Sequence, residues 1–447
     1  ALAQIKDDPR AGIDPRVVQG VCIELGLEWR NTPLAPAATI WLLARQVLAG
    51  NISNAELIRL ANLQLTPEAY CTAKGRLPAE TLWLLNRRVC DSASQQPLRW
   101  KGHRTWYADG SSFSMPDTPA LQKHFGQPGQ QKPGCGFPVA HLLCLFEAES
   151  GLLREVVASP LRTHDLSQMP QVHQQLCAND VLIADTAFGS YFHLAGLQAS
   201  GVFGVFPVHQ ARIVNFCPGR EHLQPGARRY ERCSKDRQSI PTSRWVQKLG
   251  KDDQLVEYFK PAQCPAWMTR AQYQAAPQSI IVREIRRSVY RKGFRPMTIV
   301  VVTTLLDPAT YPADQIIQLL KGRWSVETNL RHLKTTMKME IFRCKSVEAV
   351  HKELSMFVLI YNLVRLIMLE AAARQNVAVE RISFADALYW MRHGNIQGSM
   401  HGPMPNLTVN PLRPDRIEPR AIKRRPKEYD RLNKPRAEMR RALKKQR

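Results

Sequence analysis

Between residues 35 and 90 the apolar positions recur at helical spacing, and each run is bounded by its own start or stop signal. ATIWLLARQVLAG ends at Gly50; SNAELIRLAN opens with Ser53 and Glu56 at capping-box spacing; TPEAYCTAKG starts with Thr66 as cap and Pro67 at the first helical position; PAETLWLLNRRV follows Pro78. Short helices with tight turns are compatible with a helix-turn-helix and equally with any small helical bundle. From about residue 101 the period shortens to that of strands. RTWYADG ends in Asp109 and a Gly turn, FPVAHLLCLFEAES and GLLREVVASPL pair as a hairpin around Ser150-Gly151, and the apolar run VLIADTAFG stops at Asp185. SQMPQVHQQLCAND and YFHLAGLQAS read as helices, and GVFGVFPV as a further strand.

Strands followed by helices and more strands predict a mixed α/β sheet covered by helices. The span 209–296 interrupts it with short alternating pieces such as SIIVREIRRSVYR and a turn at Lys292-Gly293, and reads as a mainly β insertion. TIVVVTTLL then supplies another strand, ADQIIQLLKGRWSVETNLRHLKTTMKME a long helix, and 346–395 a helical segment. Its most apolar run, FVLIYNLVRLIMLEAAA, carries Asn362, Arg365 and Glu370 and reads as a buried helix, too polar for a membrane span. The expected division is a helical N-terminal region (1–100), a sheet core in two parts (101–208 and 298–345) around a basic insertion (209–297), a helical C-terminal region (346–410) and a basic tail (411–447).

Charge changes the picture. The chain of 447 residues holds 62 Lys and Arg against 38 Asp and Glu, a net charge of +24, which self-repulsion penalises unless a polyanion is the partner. Residues 209–296 carry 18 basic against 7 acidic side chains and residues 413–447 carry 15 against 5, so two blocks hold most of the excess. Nucleic acid is therefore the leading partner, with Lys74, Arg76, Arg87 and Arg88 as the cations available to the N-terminal helices. An anionic membrane surface would call for an amphipathic helix or a lipidation signal, and neither is evident. Ten cysteines without a C-x-x-C pair or a Cys/His cluster point to reduced thiols in a cytoplasm, and ALAQIKDDPR has no secretory pattern.

Asp109 and Asp185 each sit where an apolar strand runs out, the place where α/β sheets present functional groups. Each also has an ordinary reading, Asp109-Gly110 as a turn and Asp185-Thr186 as a helix cap. In KGRWSVETNLRHLK, Arg323, Glu327 and Lys334 fall within about 40° of one another on a helix, which is an i,i+4 ion pair or something more. Three converging carboxylates would repel unless a cation neutralised them, and oxygen ligands suit Mg²⁺ or Mn²⁺. Two such ions about 4 Å apart serve phosphodiester chemistry, with Arg323 and Lys334 gripping phosphates. No G-x-x-x-x-G-K-[ST] loop exists, so no NTP is called for, and Ser111, Ser112 and Ser114 lack the elbow of a serine hydrolase.

RWSVETNLRHLK fits the Arg-x3-Glu-x6-Lys part of the signature of insertion-sequence transposases of the insertion sequence four (IS-four) family, and the chain resembles that family over nearly its whole length. AYCTAKGRLP, WYADGSSFSMPDT, VLIADTAFG, TTLLDPATYPADQIIQLLKGRW, IYNLVRLIML and RAIKRRPKEYDRLNKPR follow in the family's order; the signature's Tyr is replaced by Leu320. The resemblance implies an RNase H-like DDE core split by a β insertion. It implies Asp109, Asp185 and Glu327 as the catalytic, metal-binding acids, two Mg²⁺ ions (with Mn²⁺ as a substitute) on the DNA-bound enzyme, and Arg323 and Lys334 on the DNA end. Leu320 removes a ring that in relatives contacts DNA. An insertion aromatic that stacks on an extruded base would be Trp245 or Trp267, each equally readable as a packed Trp. Lys423, Arg424 and Arg425 of the tail are further DNA contacts. The implied partners are double-stranded DNA, at the terminal inverted repeats and the target, and a second copy in the synaptic complex. The implied setting is a bacterial cytoplasm and its nucleoid. The rival reading is a domesticated, catalytically inactive DNA-binding protein.

Overall fold

The computed structural model describes residues 13–30, 32–93, 99–163, 165–209, 212–222, 241–289, 297–393, 406–412 and 432–445. Among the described residues the N-terminal part forms five helices, α1 (Pro15–Glu24), α2 (Pro36–Leu48), α3 (Asn54–Leu60), α4 (Pro67–Arg76) and α5 (Ala79–Ala93). Their boundaries follow the local chemistry: Ser53 Oγ accepts from Glu56 N at 3.2 Å and Thr66 Oγ1 from Ala69 N at 3.1 Å, each satisfying a backbone donor that the first turn leaves free.

One nine-stranded sheet organises the rest: β1 (Thr105–Ser114), β2 (Val139–Glu147), β3 (Leu153–Pro160), β4 (Val181–Ala184), β5 (Phe203–Pro207), β6 (Arg244–Gly250), β7 (Asp253–Phe259), β8 (Ser279–Val289) and β9 (Met297–Thr303), in the order 3-2-1-4-5-9-8-7-6. β1, β4 and β5 are parallel; β2 and β3 form the expected hairpin on one side. On the other side β9 runs antiparallel to β5, and β8, β7 and β6 add on beyond it. The strands of the basic insertion thus extend the sheet they interrupt. The turn expected at Lys292-Gly293 and the tail residues Lys423, Arg424 and Arg425 lie outside the described residues.

Two differences from the sequence reading bear on the site. Asp109 does not end a strand at a Gly turn: β1 continues to Ser114, with Asp109 opposite Cys144 and Gly110 opposite Leu143. The nine-residue, largely apolar strand β2 supplies a full partner edge, and non-local pairing overrides the local Asp-Gly signal. What ends near Asp109 is the other neighbour, since β4 pairs with β1 only as far as Ala108 opposite Ala184. Second, the long helix is interrupted. α10 (Ala313–Gly322) and α11 (Ser325–Arg331) are separated at Arg323 and Trp324, and a π-turn follows at His332–Thr336, closed by Met337 N donating to His332 O at 2.9 Å. Rotation at 100° per residue therefore holds between Arg323 and Glu327 but not on to Lys334, because the π-turn adds a residue to the turn.

Helices cover both faces. The short α6 (Pro119–Phe125) lies between β1 and β2. On one face α7 (Asp165–His173) and α8 (Tyr191–Ala199) pack with Trp106, Ala108, Leu182 and Ala184, and the short α9 (Arg270–Ala275) lies nearby. On the other, Tyr107, Val181 and Ile183 meet α10, α11 and the 29-residue α12 (Val347–Gln375). α12 is long and apolar enough to cross a membrane, yet it is buried in the molecule. Its polar side chains have protein partners: Asn362 Oδ1 accepts from Leu153 N at 2.8 Å, and Arg365 Nε donates to Ser150 O at 3.0 Å. Two further helices, α13 (Phe384–His393) and α14 (Arg436–Lys445), complete the described chain.

Candidate active site

Side chains alternate between sheet faces with period two. Tyr107 and Asp109 therefore share one face of β1, and Val181, Ile183 and, one step past the strand, Asp185 share the same face of β4. That is the face on which α11 buries Val326 and Leu330, which leaves Glu327 turned away from the core and exposed. Three segments distant in sequence bring Asp109, Asp185 and Glu327 into one electrostatic neighbourhood. Burial raises the carboxyl pKa of Asp109; the Arg323 guanidinium and the Gly110 N–H pull it back, and the charges of Asp185 and Glu327 push it up again.

Arg323 Nη1 stands 3.3 Å from Asp109 Oδ2, and Gly110 N donates to Asp109 Oδ1 at 2.9 Å. Asp185 Oδ1 accepts from Thr186 N at 2.8 Å and caps the 3₁₀ turn at Thr186–Phe188, so the cap reading of Asp185 holds in this arrangement beside any other role. Arg323 reaches Asp109 because α10 comes very close to β1. Gly322 abuts Tyr107, and a Cβ there would overlap the Tyr107 hydroxyl and stand 3.3 Å from the ring carbon that bears it. Tyr107 Oη also donates to Leu319 O at 3.4 Å. Gly322 and Tyr107 were not singled out in the sequence; their signal is a small residue before the Arg and an aromatic two residues before the Asp.

Lys334 sits half-buried in the π-turn. His332 opens that turn; burial, reinforced by Arg365 and Arg331, draws its pKa down to about 4, and the neutral ring stacks on Phe384 at 4.2 Å. Leu320, at the place of the signature Tyr, is 7% exposed and belongs to the apolar core. The sequence also gave no weight to Trp324, which is 51% exposed at the helix interruption beside Arg323. Trp267 stacks on His193 at 4.8 Å with the rings 1° from parallel, and Trp245 is half-buried on β6. Three of the four N-terminal cations have protein partners: Arg87 with Glu155, Arg88 with Glu24, and Lys74 with Asn54 at 2.9 Å.

The donor set is all oxygen, hard and anionic, which fits a divalent Mg²⁺-like ion. Among the described residues no three His, Cys, Asp or Glu side chains stand close enough to hold one ion together. Asp109 is instead matched by the Arg323 cation.

The transposase DDE domain family matches residues 100–363, a span that contains β1 through the first half of α12 and all three acids. The chain therefore belongs to the DDE transposases: it is a DNA transposase, an enzyme that cuts and rejoins phosphodiester strands. Within that class it is an IS4-family transposase, 24% identical over 451 aligned residues to Transposase InsG for insertion sequence element IS4 of Escherichia coli (strain K12), an alignment covering 93% of this chain and 92% of that protein. Among solved structures, the cryo-EM synaptic complex of piggyBac transposase with hairpin DNA matches with a TM-score of 0.43 at 10% identity, over 89% of this chain and 82% of that one. The crystal structure of a pre-cleavage Mos1 transpososome matches with a TM-score of 0.15 at 10% identity, over 39% of this chain and 60% of that one.

Proposed function

We propose that Asp109, Asp185 and Glu327 are the catalytic acids of this transposase, and that the five strands in the order 3-2-1-4-5 form an RNase H-like core. The observation that supports the reading is the shared face: by strand parity Asp109 and Asp185 lie on one side of the sheet, α11 packs on that side with Glu327 exposed, and Arg323 lies 3.3 Å from Asp109. Asp109, Asp185 and Glu327 would hold two Mg²⁺ ions, or Mn²⁺, in the DNA-bound enzyme. Bound there, the ions would supply Lewis-acid activation of the attacking oxygen and neutralise charge on the leaving one.

In the first reaction water attacks phosphorus at the transposon end, the bond to the 3′ oxygen breaks, and that oxygen takes a proton to become a 3′-OH while the flank keeps a 5′-phosphate. In the second, the 3′-OH gives up its proton, attacks a target phosphorus and displaces the target's 3′ oxygen. One P–O bond forms for each that breaks, so no NTP is required. Arg323 and Lys334 hold the phosphate of the scissile strand, and Trp324 offers a flat apolar face to the adjacent bases.

The N-terminal helices (1–100) and the insertion (209–297) contact the DNA end, with Trp245 or Trp267 as the stacking aromatic; Lys423, Arg424 and Arg425 add phosphate contacts; and two copies synapse two ends in a bacterial cytoplasm. For Trp267 the stack on His193 must open before a base can enter. Cleavage of labelled end duplex in Mg²⁺ tests the centre. Asp109→Ala, Asp185→Ala and Glu327→Gln should each abolish nicking and strand transfer while binding of the end stays within about threefold; nicking at the wild-type rate by all three variants would remove the assignment.

A further inference from the structure

The last described element, α14, is a basic helix held to the body of the protein at one end. Arg436 N donates to Gly134 O at 3.1 Å, Arg436 Nη1 donates to Gly136 O at 3.0 Å and lies 3.5 Å from Asp117 Oδ2, and its guanidinium lies 3.8 Å from the centre of the Phe137 ring. Beyond this anchor every residue of the helix is exposed. Arg440, Arg441, Lys444 and Lys445 make no ion pair or hydrogen bond among the described residues, and at helical rotation they span an arc of about 140° on one side. Lys444 and Lys445 at the C-terminus also suit the helix dipole.

The anchor lies on the connection between β1 and β2, which leaves β1 at Ser114. That is the end of the sheet at which Asp109 and Asp185 emerge, and Ser114 N donates to Glu340 O at 3.1 Å, on the segment that follows Lys334. Five residues of extended chain separate Asp109 from Ser114, roughly 17 Å. That is about half a turn of B-DNA. The anchor of α14 thus lies on the connection that leaves this end of the sheet, and an unpaired cationic face there offers complementary charge to a duplex engaged at the acids.

We propose that α14 is a DNA clamp: Arg436 docks it on the β1–β2 connection, and its four free cations bind backbone phosphates of the duplex flanking the cleavage site. The partner is the phosphate backbone, so the contact is independent of sequence. The proposal rests on the acids being the place where DNA is cut, and the two can fail separately. Met439 and Leu443 lie together on another side of the helix and are 40% and 62% exposed, so a second copy of the chain is the competing occupant.

The full-length protein should be titrated into a mixed-sequence duplex of about four helical turns over a range of salt concentrations, with anisotropy as the readout. Replacing the four cations together (Arg440→Gln, Arg441→Gln, Lys444→Gln, Lys445→Gln) should flatten the slope of log K against log salt by about 3 to 4. Melting should be unchanged, because no protein contact is lost. Arg436→Gln, which keeps the four cations but releases the anchor, should weaken binding at least threefold. A slope within one unit of wild type in the fourfold variant overturns the proposal. So does a Met439→Lys, Leu443→Lys variant that loses dimer by light scattering while the fourfold variant binds normally, since the helix would then serve a second copy. Glu327→Gln should leave the slope unchanged; if it also nicks normally, the acid assignment falls while the clamp result stands.

Discussion

Arg283 is the most buried cation of the described chain, and removing it should show how firmly the insertion is bolted to the helix that carries the site. Its side chain is 0% exposed and faces Asp253, which is 6% exposed. Nε donates to Asp253 Oδ1 at 2.8 Å, Nη2 to Asp253 Oδ2 at 2.6 Å, and Nη1 to Tyr311 O at 2.7 Å. Arg283→Met leaves the Asp253 carboxylate buried and uncompensated, a loss of about 3–5 kcal/mol. Arg283→Met with Asp253→Leu removes both charges and leaves chiefly the Tyr311 carbonyl without its donor, about 1–3 kcal/mol. The double variant should therefore be more stable than the single one by about 2 kcal/mol. Urea unfolding with an unchanged m-value gives both numbers. A single variant that loses less than about 1 kcal/mol, or a double variant less stable than the single, would refute the reasoning. Tyr311 also hydrogen-bonds His103 Nε2 at 2.8 Å and lies two residues before α10. The single variant should accordingly lose end cleavage at temperatures where it is still folded.

Gly322→Ala should displace α10 from β1 and reduce cleavage at least tenfold, and adding Tyr107→Phe, which removes the overlapping hydroxyl, should restore most of it; no rescue would show that Tyr107 is not the obstacle. Arg323→Met removes the cation that opposes the burial of Asp109, so the carboxyl is raised further and ionises only at higher pH. The acid limb of the cleavage profile should move to higher pH, and an unmoved limb would mean that Arg323 does not set the charge of Asp109. In the wild type the raised Asp109 pKa means that the folded state binds its proton more tightly than the unfolded chain. The group therefore lowers stability as pH rises through the carboxylate range, and Asp109→Asn should be the more stable protein at neutral pH, read from its melting temperature.

Much of the geometry of the candidate site is legible in the sequence because its residues sit in short local motifs and the sheet parity that relates them has a fixed period. What was not legible depends on partners far along the chain. Asp109-Gly110 reads as a turn until the apolar run at 139–147 is laid beside it and carries the strand through. The face shared by Arg323, Glu327 and Lys334 was reckoned at one angle per residue, and the π-turn at 332–336 alters that angle between the second and third. Charge counting has a different limit. The net surplus of the basic insertion already discounts its own acids, but it does not say where the free cations lie: Arg244, Arg283 and Arg286 are matched to Glu257, Asp253 and Asp252 within the insertion, and Arg287 to Asp314 outside it. A count of side chains cannot separate a cation offered to solvent from one matched inside the fold.

That distinction also bears on how the site is held before DNA arrives. Asp109 is half-buried and feels the charges of Asp185 and Glu327, and among the described residues the cation in contact with it is Arg323, 13% exposed and brought there by the approach of Gly322 to Tyr107. Each part of this requires the others: without the glycine the helix stands off, without the helix the cation does not reach, and without the cation the carboxylate loses its counter-charge. If Arg323 binds DNA as proposed, an incoming phosphate would compete with Asp109 for the same guanidinium, and phosphate is a doubly hydrogen-bonding partner that Arg geometry favours. Transfer of Arg323 from carboxylate to phosphate would free Asp109 Oδ2 when substrate is present, and a carboxyl whose pKa the guanidinium no longer pulls down would then need another cation to stay ionised.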